Sequence, residues 1–105
     1  MAYENILLET KNNIAYITIN RPNVLNALNW KTMQEIRDAF LKIKKDNSVG
    51  GVIITGAGEK AFVAGADIKE LATRDPVAAK EFSVASQEIL HLIEQFPKPV
   101  IAAVN

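Results

Sequence analysis

The sequence contains no cysteine, which removes disulfides, thiolate catalysis and cysteine-ligated zinc sites together. It has one histidine, so no second imidazole exists to complete a metal site or a nucleophile pair. No apolar run approaches the roughly 18 residues that a bilayer span requires. The stretch from Met1 to Thr10 lacks the basic region and long apolar core of a secretion signal. Neither sign of charge prevails: twelve Lys and Arg balance twelve Asp and Glu, so no net field draws in nucleic acid or an anionic membrane. These absences predict a soluble, cytoplasmic protein with no nucleic-acid and no membrane partner.

What is present is an ordinary globular composition, 49% apolar and 23% charged. At 105 residues the chain is one domain at most. A chain of this length buries roughly 60–70% of its unfolded surface, enough for a real core. Ile6 to Thr10 and Ile14 to Ile19 read as short strands rich in β-branched residues. Lys11-Asn12-Asn13 between them reads as a tight hairpin, because Asn tolerates positive φ. Pro22, which cannot donate to a ladder, breaks the second strand. From about Trp30 to Asp46, Met33, Ile36, Phe40 and Ile43 recur at helical spacing, with Asn29 as N-cap and 47–51 as the stop. Val52 to Thr55 is apolar without alternation, as in a strand covered on both faces. A second helix opens at Asp75-Pro76 with an acidic cap and Pro at its first position. Phe82, Ala85, Ile89, Leu92, Ile93 and Phe96 mark its buried side. Pro97-Lys98-Pro99 ends it, and Val100 to Val104 is a last apolar strand. The order implies an α/β fold with a parallel sheet and right-handed crossovers. The chain stops at Asn105, directly after a strand that should be covered, so it is expected to be cut from a longer domain.

Two stretches invite a chemical reading. Gly56-Ala57-Gly58-Glu59-Lys60-Ala61 fits the dinucleotide-binding pattern after a strand. That pattern needs a helix opening inside it and an acidic residue ending a strand about twenty positions on. No helix signal precedes Asp67, and Asp75 starts a helix, so the pattern fails its context. The second stretch runs from Ala61 to Leu71. Four of the six residues from Ala61 to Ala66 are Ala or Gly, which lets a ligand approach the backbone closely. A helix then opens at Asp67, where free N–H groups can receive negative charge. The combination suits an oxyanion site. Asp67 with Glu70 also makes a capping box, and capping alone accounts for the Asp67 side chain. Lys60, Lys69 and Arg21 are the nearby cations that could meet a phosphate, although single surface cations are ordinarily just solvated. His91 lies off the apolar stripe of its helix, on the solvent side, and Trp30 reads as a packing residue.

These residues resemble the crotonase (enoyl-CoA hydratase) family. The resemblance runs through Ile17 to Pro22, Leu25-Asn26-Ala27-Leu28, Val52 to Gly56, Ala61 to Leu71, and Lys98 to Asn105. Phe62 to Ile68 is especially similar to bacterial short-chain enoyl-CoA hydratases, including 3-hydroxybutyryl-CoA dehydratases. It implies that residues 1–105 are the N-terminal part of a crotonase-type ββα spiral, with parallel strands and covering helices. The implied substrate is an acyl-CoA thioester, with no further cofactor and no metal. Its carbonyl would sit between two backbone N–H groups, one from Ala66 and one from a glycine beyond Asn105. Two glutamates still further along would activate water for addition to the double bond. Ala64 would meet the adenine with its backbone, beside Gly65 and Asp67, and Ile68 would pack on it. Val24 and Leu25 would flank the pantetheine arm, with Lys60 and Lys69 near the CoA phosphates. Asn23 departs from the lysine common after Arg-Pro in relatives, which weakens a phosphate contact from that side. Family members assemble as homotrimers or hexamers, and an uncovered last strand invites self-association of the 105 residues alone. A CoA-binding or assembly module without catalysis is the alternative. Isomerase, decarboxylase and hydrolase relatives share the CoA loop, so this stretch does not choose among them.

Overall fold

The computed structural model describes residues 3–58 and 75–104. Strands β1 (Ile6–Lys11) and β2 (Ile14–Ile19) pair antiparallel, with Lys11 opposite Ile14. Asn12 and Asn13 make the two-residue turn with φ of 53° and 67°. That is the doubly positive geometry a tight hairpin needs and asparagine accepts. A 3-10 turn at Pro22–Val24 leads into helix α1 (Trp30–Lys45), which returns the chain to β3 (Gly51–Gly56). Helix α2 (Pro76–Glu94) lies between β3 and β4 (Val100–Ala103). The sheet order is β1-β2-β3-β4, and β2, β3 and β4 run parallel. The expected hairpin makes β1 antiparallel, and the strands joined through helices run parallel, as expected.

Both expected helix starts are capped by the residues that local chemistry favours. The Asn29 side chain accepts from the Thr32 N–H at 2.8 Å, and Asp75 accepts from the Ala78 N–H at 2.7 Å. Each satisfies a donor that the first helical turn leaves without an intrahelical partner. Pro76 follows the Asp75 cap, where its missing N–H costs nothing. At the other end of α1, Lys98 donates to the carbonyls of Ile43 at 2.7 Å and Asp46 at 2.6 Å. A cation there also meets the negative end of the helix dipole.

Strand register decides which side chains reach the core. Ala15, Val52 and Val100 form one row across the sheet, and Ile17, Ile54 and Ala102 the next. These rows share the face that packs on α1, whose Met33, Ile36, Ala39, Phe40 and Ile43 are all buried. Phe40 is fully buried and meets Phe96 edge-on, with ring centroids 5.1 Å apart at 83°. Val52 to Thr55 and Val100 to Val104 were expected to be covered on both faces. Instead, Ile53 and Thr55 are only half-buried, and Ile101 is 60% exposed. Ile54 is likewise half-buried and Ala102 exposed, so burial falls off towards the β4 edge on both faces. Among the described residues, no helix is long and apolar enough to cross a membrane.

Two polar contacts tie the chain before β1 to α1. Glu35, 8% exposed, accepts from the backbone N–H groups of Glu4 at 2.9 Å and Asn5 at 2.7 Å. The Tyr3 hydroxyl donates to Asp38 at 2.6 Å, and Lys42 pairs with the same carboxylate at 3.1 Å. The Tyr3 hydrogen bond first, then Lys42, hold the Asp38 carboxyl below the usual carboxylate range. With its folded value depressed, any stability Asp38 contributes is present above its unfolded pKa and is lost as pH falls through the folded one.

Two outcomes follow from this packing. Phe40→Ala should cost about 3–5 kcal/mol in urea denaturation, whereas a loss under about 0.5 kcal/mol would match a surface site and contradict the buried packing. In Tyr3→Phe, the Asp38 titration followed by carboxyl NMR should move up towards the ordinary range; an unmoved midpoint would show that the hydroxyl is not its main partner.

Candidate functional site

In an open sheet with parallel strands, ligands collect in the crevice beyond the carboxyl ends of the strands. Here β2 and β3 end level, Ile19 opposite Gly56, and the Ala57 N–H continues the pairing to the Ile19 carbonyl at 2.8 Å. The segment 20–28 therefore leaves the sheet beside the segment that begins at Ala57.

The first of these segments is a compact knot. The Arg21 carbonyl accepts from the N–H groups of Val24 at 3.1 Å and Asn26 at 2.8 Å, and the Pro22 carbonyl from Leu25 at 3.2 Å. Leu25 and Asn26 both take left-handed backbone, with φ of 53° and 59°. Such a conformation is ordinary for Asn and uncommon for a bulky residue such as Leu. The turn leaves Val24 40% and Leu25 46% exposed, an adjacent apolar pair open to solvent. The Arg21 guanidinium donates to the Ala27 carbonyl.

Asn26 joins the two segments. It is 1% exposed; its Oδ1 accepts from the Arg21 N–H at 2.9 Å, and its Nδ2 donates to the Ala57 carbonyl at 3.0 Å. Just beyond, Gly58 has φ of +82° and comes close to the Pro22 ring; a Cβ there would lie 3.9 Å from Pro22 Cβ. The steric room is adequate, so it is the backbone angle that calls for glycine.

Chemically, these segments offer backbone dipoles, an apolar pair and one guanidinium. Residues 20–29 and 57–58 include no Asp, Glu or His, so they hold no side chain suited to general acid–base work near neutral pH. Asp38 and Asp46 are engaged elsewhere, Asp38 by Tyr3 and Lys42, and Asp46 by the Ser48 N–H and hydroxyl, which hold its pKa down. Among the described residues there is no cluster of three or more His, Cys, Asp or Glu able to hold a metal ion.

Of the expected site residues, Val24 and Leu25 stand exposed on the knot. Lys60, Ala64, Gly65, Ala66, Asp67, Ile68 and Lys69 lie outside the described residues, as does Glu70. Asp75 caps α2 and does not end a strand, which removes the acidic partner of the dinucleotide pattern. Trp30 packs against Phe82, with centroids 5.6 Å apart, and His91 is exposed near the end of α2. The Asn26 clasp was not foreseen; its signal is a buried amide in a left-handed position, visible only once the fold is known.

Comparison with known proteins agrees with this architecture. Residues 9–105 match the family model described as enoyl-CoA hydratase/isomerase. The chain is 50% identical over 105 residues to the crotonyl-CoA hydratase of Syntrophomonas wolfei, and 44% to the short-chain-enoyl-CoA hydratase of Clostridium acetobutylicum. Both alignments cover all of this chain and 40% of the relative, so the chain spans about two-fifths of the length of these curated relatives. An enoyl-CoA hydratase crystal structure from Bacillus anthracis superposes with a TM-score of 0.93 at 34% identity, over 97% of this chain and 40% of that one. Parallel strands joined through capped helices, together with these matches, lead to one conclusion: the chain has the crotonase fold and belongs to the enoyl-CoA hydratase/isomerase family.

Proposed function

We propose that this chain is the N-terminal, CoA-binding part of an enoyl-CoA hydratase that adds water to a 2-enoyl-CoA or dehydrates a 3-hydroxyacyl-CoA. The observation that carries the proposal is the 50% identity along the whole chain to a crotonyl-CoA hydratase. The edge geometry supports it, because the exposed Val24–Leu25 pair lies on the segment that leaves the sheet at the carboxyl end of β2, beside the end of β3. In this reading Val24 and Leu25 flank the pantetheine arm. Gly65 lets the ligand approach the backbone, and Ala64 and Ile68 take the adenine. Lys60 and Lys69 lie near the phosphates, while Asp67 caps the helix that follows. The Ala66 N–H is one of two donors to the thioester oxygen.

Hydration adds the water oxygen to the β-carbon and a proton to the α-carbon, through an enolate whose charge sits on that thioester oxygen. Donors aimed at it stabilise the transition state more than the substrate, which is what accelerates a reaction. One such donor is worth about 3–4 kcal/mol, or two to three powers of ten. Enzymes typically supply at least about six powers of ten, and positioned acid–base groups about 10²–10⁴. The carboxylates of that step are assigned beyond Asn105, so the 105 residues alone should bind CoA and not turn over. The absence of Asp, Glu and His from residues 20–29 and 57–58 also fits the second reading, a CoA-binding module without catalysis. A longer form with hydratase activity separates the two.

Crotonyl-CoA hydration, followed as loss of the conjugated thioester absorbance, should be undetectable with the purified chain, while calorimetry should detect CoA binding. Leu25→Asp, which sets a charge against the proposed pantetheine path, should weaken that binding about tenfold or more. Turnover by the 105 residues, or unchanged CoA affinity in Leu25→Asp, would contradict the assignment.

A further inference from the structure

The geometry points to Asn26 as a positioning residue that locks the Val24–Leu25 knot to the end of β3 and so fixes where that apolar pair stands for the ligand. The ligand in this statement rests on the acyl-CoA reading above; the clasp itself does not. Three polar atoms of one residue converge on it. The backbone N–H returns to the Arg21 carbonyl at 2.8 Å, Oδ1 takes the Arg21 N–H at 2.9 Å, and Nδ2 crosses 31 residues of sequence to the Ala57 carbonyl at 3.0 Å.

The first two contacts close the knot and the third fastens it. A left-handed Leu persists only where the surroundings over-determine it. Leu25 is adjacent to the clasp, and nearly half its surface is exposed, so burial of its side chain does not supply the constraint. Asn26 is almost wholly buried, so truncating its amide removes a hydrogen bond from the Arg21 N–H and one from the Ala57 carbonyl inside the fold. A shift at the clasp therefore moves the Val24–Leu25 pair relative to the end of β3, although the amide needs no contact with the ligand.

Asn26→Gly and Asn26→Ala separate the backbone from the side chain. Both remove the amide, but only glycine keeps the left-handed angle without strain. In the 105-residue chain, Asn26→Gly should speed amide exchange about tenfold at Arg21, Leu25 and position 26, with Ile17 and Ile54 still protected, and should raise the CoA dissociation constant about tenfold. Asn26→Ala should do both more strongly. Ile43→Val, which trims the core away from both segments, should lower the melting temperature and leave CoA affinity unchanged. Wild-type exchange and affinity in Asn26→Gly would overturn the inference and reduce Asn26 to a residue chosen for its backbone angle. An equal loss of affinity in Ile43→Val would overturn it as well, because binding would then follow stability alone. If the unmodified chain binds no CoA, it is the acyl-CoA reading that fails, and local exchange in Asn26→Gly still decides the clasp.

Discussion

Two parallel strands that end level must send their connections out on the same side of the sheet. In this chain the level is set by the pairing of Ile14 with Gly51 through Ile19 with Gly56. A slip of β3 by one residue against β2 would turn Ile54 away from the face that Ile17 shares with α1. The same register brings Ala57 within reach of Ile19, and from there within reach of Asn26. The demand for a buried core and the juxtaposition of the two segments thus share one cause.

Around that register the helices are held by polar groups in places where apolar packing alone would leave donors or acceptors unsatisfied. Glu35 lies on the buried side of α1 and takes two backbone N–H groups from the approach to β1. Lys98, between two prolines that end the run after α2, closes the carbonyl end of α1. A buried carboxylate is costly unless its oxygens are engaged, and here both are. The result is a fastened hairpin, helix and strand, from whose carboxyl edge the exposed Val24–Leu25 pair projects.

What could be read from the sequence follows the range of the interaction. The Asn12-Asn13 turn, the Asn29 and Asp75 caps and the apolar stripe of α1 each depend on residues within a few positions, and each stands as expected. Asn26 has one of its side-chain partners 31 residues away, and Glu35 and Lys98 find theirs about 30 and more than 50 residues away, so no local pattern announces these contacts. Leu25 is illegible for another reason, since propensity argues against leucine in left-handed backbone. The site residues from Lys60 to Lys69 came largely from family resemblance, with only the small-residue loop and the helix entrance argued from chemistry.

The central claim is that the carboxyl edge of β2 and β3 is where the ligand binds. Titrating CoA into isotope-labelled chain, with amide chemical shifts followed by NMR, tests it most directly. The account requires the largest changes within residues 20–28 and 57–69, with the turn at Asn12-Asn13 and the Asp46–Ser48 corner unmoved. Shifts concentrated instead in the groove between α1 and α2, around Trp30, Arg37 and Glu88, would place the site on another face and contradict it.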